Sequence, residues 1–309
     1  MCTIPPMMNK NVASVNNLFY LSLFYIFSSI VPRSLHKGFI TTVGTMLSYI
    51  MKDTRKLVEN NLSIIGGGRY TSEEMEKLTR STFQNYGRYL LDYMVMHRIR
   101  GNNKHKYMEK KEIGEENLIK AMNMGKGVIC ITPHLGNWEL GGIVFAQKGH
   151  KLNILSLQDD DDRINSFRER IRMKYGIKSI YVDGDGVDTI INILKALKKE
   201  EIVALLGDRD GTSRTIEVDF FGRKTKFPVG VAYFALASGA PVVPVFVVLR
   251  KNGKYQGIIE RPILFNQYQA SNRDEAIKMG IQDIARIFER YIREYPDQWY
   301  NFYPFWSSQ

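Results

Sequence analysis

The sequence predicts an α/β protein: a central, mostly parallel β-sheet flanked by helices, with a helical extension at the N-terminus. Three features carry that expectation. Short apolar runs alternate with stretches of helical periodicity from Val128 onward, the order that a sheet with crossover helices imposes. The first 68 residues hold two uncharged apolar stretches and a basic segment that stops at Gly66-Gly67-Gly68. Asn252-Gly253, set between two β-rich runs, is a hairpin signal that gives the sheet an antiparallel margin. A chain of 309 residues with 44% apolar content can bury one large core, or a core with such an extension. The division expected is a helical membrane-associating segment over residues 1–68 and an α/β domain over 69–309.

Taken in order, Asn11 to Pro32 carries no charged residue, and its centre, Leu18 to Val31, is apolar and aromatic. That centre is about 14 residues long, short of the roughly 20 that cross the hydrocarbon of a bilayer, and Pro32 stops it. It reads as an anchor dipping into a membrane, with Arg33, His36 and Lys37 as a basic flank and a second short uncharged stretch, Gly38 to Met51, behind it. Two buried helices of a soluble bundle are the alternative. Lys10 alone makes a poor n-region and no small-residue cleavage pattern follows, so a secretory signal is not expected. Lys52 to Gly68 is predicted as a helix, and Thr71-Ser-Glu-Glu74 opens the next in capping-box form. Through Arg98, Phe83, Tyr86, Tyr89, Leu90 and Tyr93 recur at helical spacing, as packing residues do.

The stretch Ile129-Cys-Ile-Thr-Pro-His134-Leu-Gly-Asn-Trp-Glu139 reads as a buried strand, a turn at Thr132-Pro133, and a helix capped by Asn137 that runs through Gln147. His134 then stands at the mouth of a strand-to-helix turn, with Glu139 in the first helical turn, where the end of the helix favours a carboxylate. A carboxylate bonded to one imidazole nitrogen fixes the tautomer and leaves the other nitrogen to take a proton from a hydroxyl. The same spacing also arises in proteins where it does no chemistry.

Farther on, Leu152 to Leu157, Ser179 to Val182 and Ile202 to Leu206 read as strands, and Asp162 to Tyr175 and Val187 to Lys199 as helices. The run Asp159 to Asp162 is expected to cap a helix rather than to hold a metal, because contiguous side chains at a helix start diverge. Gly207-Asp208-Arg209-Asp210-Gly211 follows a buried strand, where open α/β sheets place ligand sites. Arg209 is the candidate there for clamping a phosphate or neutralising an oxyanion, and Asp208 accompanies it; an ion-pair knot supporting the loop is the other use. Val229 to Ser238 is predicted as a helix and Val242 to Leu249 as a strand, with Pro244 expected at a bulge or an edge. Arg250 closes that strand as a phosphate contact or a surface charge. Tyr255 to Ile259 completes the hairpin, and a helix from Arg273 to Tyr295 ends at Pro296.

His134-Leu-Gly-Asn-Trp-Glu139 resembles the His-x4-Asp/Glu motif of glycerolipid acyltransferases, and more closely the form found in the lipid A biosynthesis (lauroyl/myristoyl) acyltransferase family. Asp208-Arg-Asp210, Glu217-Val-Asp-Phe-Phe-Gly222 and Phe227-Pro-Val-Gly230 resemble further segments of that family, closest to its phosphatidylinositol mannoside acyltransferase branch. Asp297-Gln-Trp299 and the aromatic residues to Trp306 resemble its ending, which packs in the core, over the site or along a lipid-facing groove. The resemblance runs from about Leu18 to Trp306 and implies a glycerolipid acyltransferase-like sheet. It makes Glu217 a second candidate for contact with the histidine, an exposed strand residue being the alternative. The chain departs from many members where an arginine follows the second strand and this sequence reads Leu155-Ser-Leu-Gln158; that part falls to Arg163, Arg168 or Arg209, or is missing.

The activity so implied is transfer of a fatty acyl chain from a thioester, acyl-CoA or acyl-ACP, to a hydroxyl of a membrane glycolipid or lipid A-type precursor. His134 and Glu139 are the expected catalytic pair, and Arg209, Asp208, Glu217 and Arg168 the expected substrate or oxyanion contacts, with backbone N–H groups the alternative oxyanion donors. Neither a metal nor a resident cofactor is called for; coenzyme A or acyl carrier protein enters as the carrier of a co-substrate. The net charge of +11 and a pI near 9.4 suit an anionic partner. No nucleic-acid module accompanies that charge, which turns the expectation toward an anionic glycolipid membrane, an acidic carrier protein or the phosphates of coenzyme A. Cys2 and Cys130 make no disulfide framework, which fits a reducing compartment and placement at the cytoplasmic face of the inner membrane. A basic peripheral-membrane lipid-binding protein without catalysis and a thioester or ester hydrolase are the competing functions.

Overall fold

A computed structural model describes residues 31, 33–158, 161–182, 186–209 and 214–306. The apolar stretch Leu18 to Val31 therefore lies outside the described residues except for Val31. The chain divides into two compact units interleaved in sequence. Among the described residues, the first is 100–133 with 137–288; the second is 31–99 with 134–136 and 289–306.

The first unit is built on a six-stranded sheet of β1 (Val128–Thr132), β2 (Leu152–Ser156), β3 (Lys178–Tyr181), β4 (Ile202–Leu206), β7 (Val242–Leu249) and β8 (Tyr255–Ile259). Its order is β3-β2-β4-β1-β7-β8. All neighbours are parallel except β7 and β8. This is the mostly parallel sheet expected, with its antiparallel margin turning at Asn252-Gly253, where Gly253 takes φ +79 and Arg250 N–H bonds Lys254 O at 2.8 Å. Strands covered on both faces read as unbroken apolar runs, and β1 has all five residues buried. A short helix, α4 (Glu115–Met122), which the sequence reading does not assign, leads into β1.

Helices α5 (Trp138–Gln147), α6 (Asp162–Lys174) and α7 (Val187–Lys198) connect β1 to β2, β2 to β3 and β3 to β4 in turn. Asp161 caps α6 by accepting from Arg163 N–H, the use foreseen for the acidic run, of which Asp159 and Asp160 lie outside the described residues. Between β4 and β7 lie the separate hairpin β5 (Thr215–Phe220) and β6 (Arg223–Pro228) and the helix α8 (Gly230–Ser238). In that hairpin the register pairs Phe220 with Arg223, leaving Phe221-Gly222 as a two-residue turn whose φ angles are both positive, +54 and +72. The Phe-Phe-Gly motif is thus a primed hairpin turn, with buried Phe221 held in an uncommon conformation against Phe220.

Of the bulge or edge expected at Pro244, the edge is excluded, since β7 lies between β1 and β8. The bulge is found on the β8 side: Pro244 O accepts from Glu260 N–H at 2.9 Å beside Val245↔Ile259, and pairing resumes at Val242↔Ile263, so that Val243 and Pro244 face residues 260–262.

The second unit holds α1 (Arg33–Ile50), α2 (Lys52–Gly66) and α3 (Ser72–Val95). Helix α1 turns His36, Ile40 and Ser48 inward, and at Gly44 an added Cβ would lie 2.8 Å from Gln84 Cα, so a side chain there would force α1 and α3 apart. Gly67 closes α2 at φ +59, and Thr71 with Glu74 forms the expected capping box of α3. Phe83, Tyr86 and Tyr89 pack against Tyr300 and Phe302 of the C-terminal tail, as packing residues should. Helix α9 (Arg273–Glu294) continues from the first unit into the second. No helix among the described residues is long and apolar enough to cross a membrane.

The start of β1 supplies a stability test. Gly127 has φ +68, and a Cβ there would lie 2.7 Å from Leu197 O and 2.9 Å from Glu201 O, both backbone atoms. Gly127→Ala should destabilise the fold by more than about 1 kcal/mol, seen as a lower urea midpoint at unchanged slope; an unchanged midpoint would refute the close approach.

Candidate active site

The C-terminal ends of β1 and β4 are neighbours, with Thr132 opposite Leu206 and Gly207 N–H bonded to Thr132 O at 2.9 Å. Beyond them the chain leaves in opposite directions across the sheet, from β1 to β2 and from β4 toward β7. Such a divergence is where open α/β sheets bind ligands. Asp208 and Arg209 follow β4 here, Asp208 buried and Arg209 partly exposed, while Asp210 lies outside the described residues. From β1 the chain continues through Pro133 into His134.

His134 is partly exposed and begins the short segment that belongs to the second unit. Its carbonyl accepts from Tyr300 N–H at 2.9 Å, Gly136 N–H donates to Gln298 O at 2.9 Å, and Leu135 pairs with Trp299 as an antiparallel bridge. Gly136 makes the turn possible at φ +65. The tail motif read from sequence as core, cover or groove therefore does something more specific: its backbone brackets the histidine. Trp299, Tyr300 and Phe305 are buried.

In the first unit Asn137 caps α5, its Oδ1 accepting from Leu140 N–H at 3.1 Å. Within a carboxamide only the oxygen accepts an N–H, so the other atom is the amide nitrogen, a buried donor with no hydrogen-bond partner among the described residues. Glu139 is engaged by Arg172 of α6, Nη2 to Oε1 at 2.9 Å. Arg172 is buried and also donates to Ser179 Oγ at 3.0 Å. Ser179 in turn donates to Glu169, and Tyr181 donates to Glu169 at 2.7 Å. Burial, then the bond to Glu169, raises the Tyr181 phenol above its ordinary pKa.

Sequence reasoning missed Arg172, having sought an arginine at Arg163, Arg168 or Arg209. The signal was the row of arginines on α6, but only the folded pairing of α6 with the start of α5 tells which one faces Glu139. Arg163 instead binds Asp161 at the surface, and Arg168 is partly exposed. Glu217 is an exposed residue of β5, in register with Lys226. Cys130 is a core residue of β1 whose thiol burial pushes up to about 12, which keeps it protonated at neutral pH.

In the first unit, then, β1 ends beside β4, Asn137 caps α5 and a buried arginine holds Glu139; in the second, the tail backbone holds His134. The chain belongs to the bacterial lipid A biosynthesis acyltransferase family, whose family model matches residues 12–308. Among curated proteins it is similar to a phosphatidylinositol mannoside acyltransferase of Mycobacterium tuberculosis, 24% identical over 233 residues that cover 75% of this chain and 71% of that protein. The corresponding protein of Mycolicibacterium smegmatis is 22% identical over 248 residues, 78% of this chain and 76% of its own length. A lipid A biosynthesis acyltransferase of Haemophilus influenzae is 22% identical over 283 residues, 91% of this chain and 84% of that protein.

The ion pair between Glu139 and Arg172 can be tested directly. Arg172→Met, which strands a partly buried carboxylate, should cost about 3 kcal/mol in chemical denaturation, and adding Glu139→Gln should recover most of that loss. Additive losses in the double variant would mean that the two residues do not work as a pair.

Proposed function

We propose that this protein is an O-acyltransferase that moves a fatty acyl chain from an acyl thioester to a hydroxyl of a membrane glycolipid. The observation that carries the reading is His134, partly exposed at the end of a buried strand, in a chain that belongs to an acyltransferase family. The relatives' names, a mannosylated phosphatidylinositol in one group and lipid A in the other, support a glycolipid acceptor. Acyl-CoA and acyl-ACP both fit as the donor.

In the proposed reaction one imidazole nitrogen of His134 takes the acceptor's hydroxyl proton as that oxygen bonds to the thioester carbonyl carbon. The carbonyl oxygen becomes an oxyanion, held by Arg209 or by backbone N–H groups. The C–S bond then breaks, and the proton passes from the imidazolium to the departing thiolate. The products are an ester and a free thiol. Glu139 is the carboxylate partner that the motif supplies to the histidine, and Arg172 holds that carboxylate in place. Asp208, Glu217 and Arg168 are assigned to substrate contact. His134→Ala in folded protein should lower turnover at least about 100-fold, and retention of full transferase activity would remove the base assignment.

We assign the N-terminal segment, residues 1–68, to association with the cytoplasmic face of the inner membrane. The outer side of α1 supports this: Leu35, Met46, Tyr49 and Ile50 are each at least half exposed, at 61%, 51%, 50% and 64%, and 38–51 carries no charge. Aromatic and aliphatic side chains beside a basic flank fit the headgroup level, and the +11 charge favours anionic lipid. Replacing Leu35, Met46 and Ile50 with Asp should weaken co-sedimentation with anionic vesicles at least about tenfold while leaving the melting temperature unchanged. Undiminished vesicle binding would contradict the role given to α1.

A further inference from the structure

We infer that Asn61, on α2, is a positioning residue for His134 and acts on it through the backbone of the C-terminal tail. The inference rests on His134 being the base. Asn61 is 3% exposed and spends its amide wholly on that tail. Its Nδ2 donates to Asn301 O at 2.9 Å and to Tyr303 O at 2.9 Å, and its Oδ1 accepts from Phe305 N–H at 3.3 Å. Both amide hydrogens and the oxygen are thereby used, which fixes the orientation of the amide and ties down three backbone groups across a five-residue stretch of tail.

The residues immediately before that stretch, Gln298 to Tyr300, hold the loop of the base. Gln298 O and Tyr300 N–H bond Gly136 N–H and His134 O, so the histidine's own peptide is one of the two bonded positions. All of these bonds at the loop are backbone to backbone. The position of His134 therefore depends on the path of the tail, and that path depends on a side chain which never touches the histidine. Trp299 and Phe305, in edge-to-face contact at 4.8 Å, bind the two halves of the tail to each other, so that displacement of one half moves the other. Removing the Asn61 amide breaks its bonds to Asn301 O, Tyr303 O and Phe305 N–H, a loss the tail relieves by moving. Displacement of a base by about 1 Å costs on the order of 100-fold in rate.

The test uses the full-length protein with Asn61→Ala, and Asn61→Ser as the milder replacement should the alanine variant not fold. Hydrogen exchange by mass spectrometry reads the Gly136 and Tyr300 amides, and steady-state kinetics use a long-chain acyl-CoA with vesicles containing mannosylated phosphatidylinositol. Expected are exchange at least about tenfold faster at both amides, and kcat lower by about 10- to 100-fold with both KM values within about threefold, in protein that melts above the assay temperature. Unchanged protection at Gly136 and Tyr300 overturns the inference, and so does faster exchange with unchanged kcat. The exchange measurement needs no turnover, so it stands apart from the base assignment, which fails separately if His134→Ala stays active.

Discussion

The architecture depends on how β1 is held. Its five buried residues pair with β4 along their whole length, and Ile129, Cys130 and Ile131 pair with β7 on the other side. A central parallel strand so enclosed has no freedom to slip, because a shift of one residue would turn its side chains to the opposite faces and break both ladders. The end of β1 is a fixed point, reinforced by the bond from Gly207 to Thr132. From that end the chain passes through Pro133 into His134.

On the far side of the histidine, different forces take over. Within the first unit the start of α5 is secured by the Asn137 cap and by Arg172, whose guanidinium joins Glu139 to the Ser179–Glu169–Tyr181 group. A buried arginine is costly to desolvate, and the several bonds around it offset that cost. Such a network adds orientation more than stability. Within the second unit, the segment His134–Gly136 is bonded to the tail by main-chain groups alone. The aromatic residues of the tail act there as a packed support for backbone geometry.

The strands of the sheet were legible because parallel strands leave unbroken apolar runs, and the capping box at Thr71 and the turn at Asn252-Gly253 because each is written in adjacent residues. The histidine motif was legible for the same reason, as strand, turn and cap follow one another in sequence. What escaped reading is long-range. Arg172 is one of several arginines on α6, and nothing local separates it from Arg168. The bonds from the tail to His134 join backbone groups, which leave no trace in residue identity. Helix α4 follows Gly114, an N-cap with no side chain to bond the helix start, which gives no start signal. Phe-Phe-Gly was recognised as a resemblance but not as a turn, because phenylalanine at positive φ runs against local preference. Pro244 was legible only in part, since a proline within a strand allows a bulge or an edge, and only the strand order, with β7 between β1 and β8, separates the two.

The central claim is that His134 activates a lipid hydroxyl, rather than water, toward a thioester. It is tested most directly by product stoichiometry: wild-type protein is incubated with a long-chain acyl-CoA, or the acyl-ACP equivalent, and glycolipid-containing vesicles, and thiol and lipids are quantified by mass spectrometry. The account predicts one acylated glycolipid for each thiol released, with release dependent on the glycolipid. Thiol accompanied by an equal amount of free fatty acid, at a rate indifferent to the glycolipid, would contradict it.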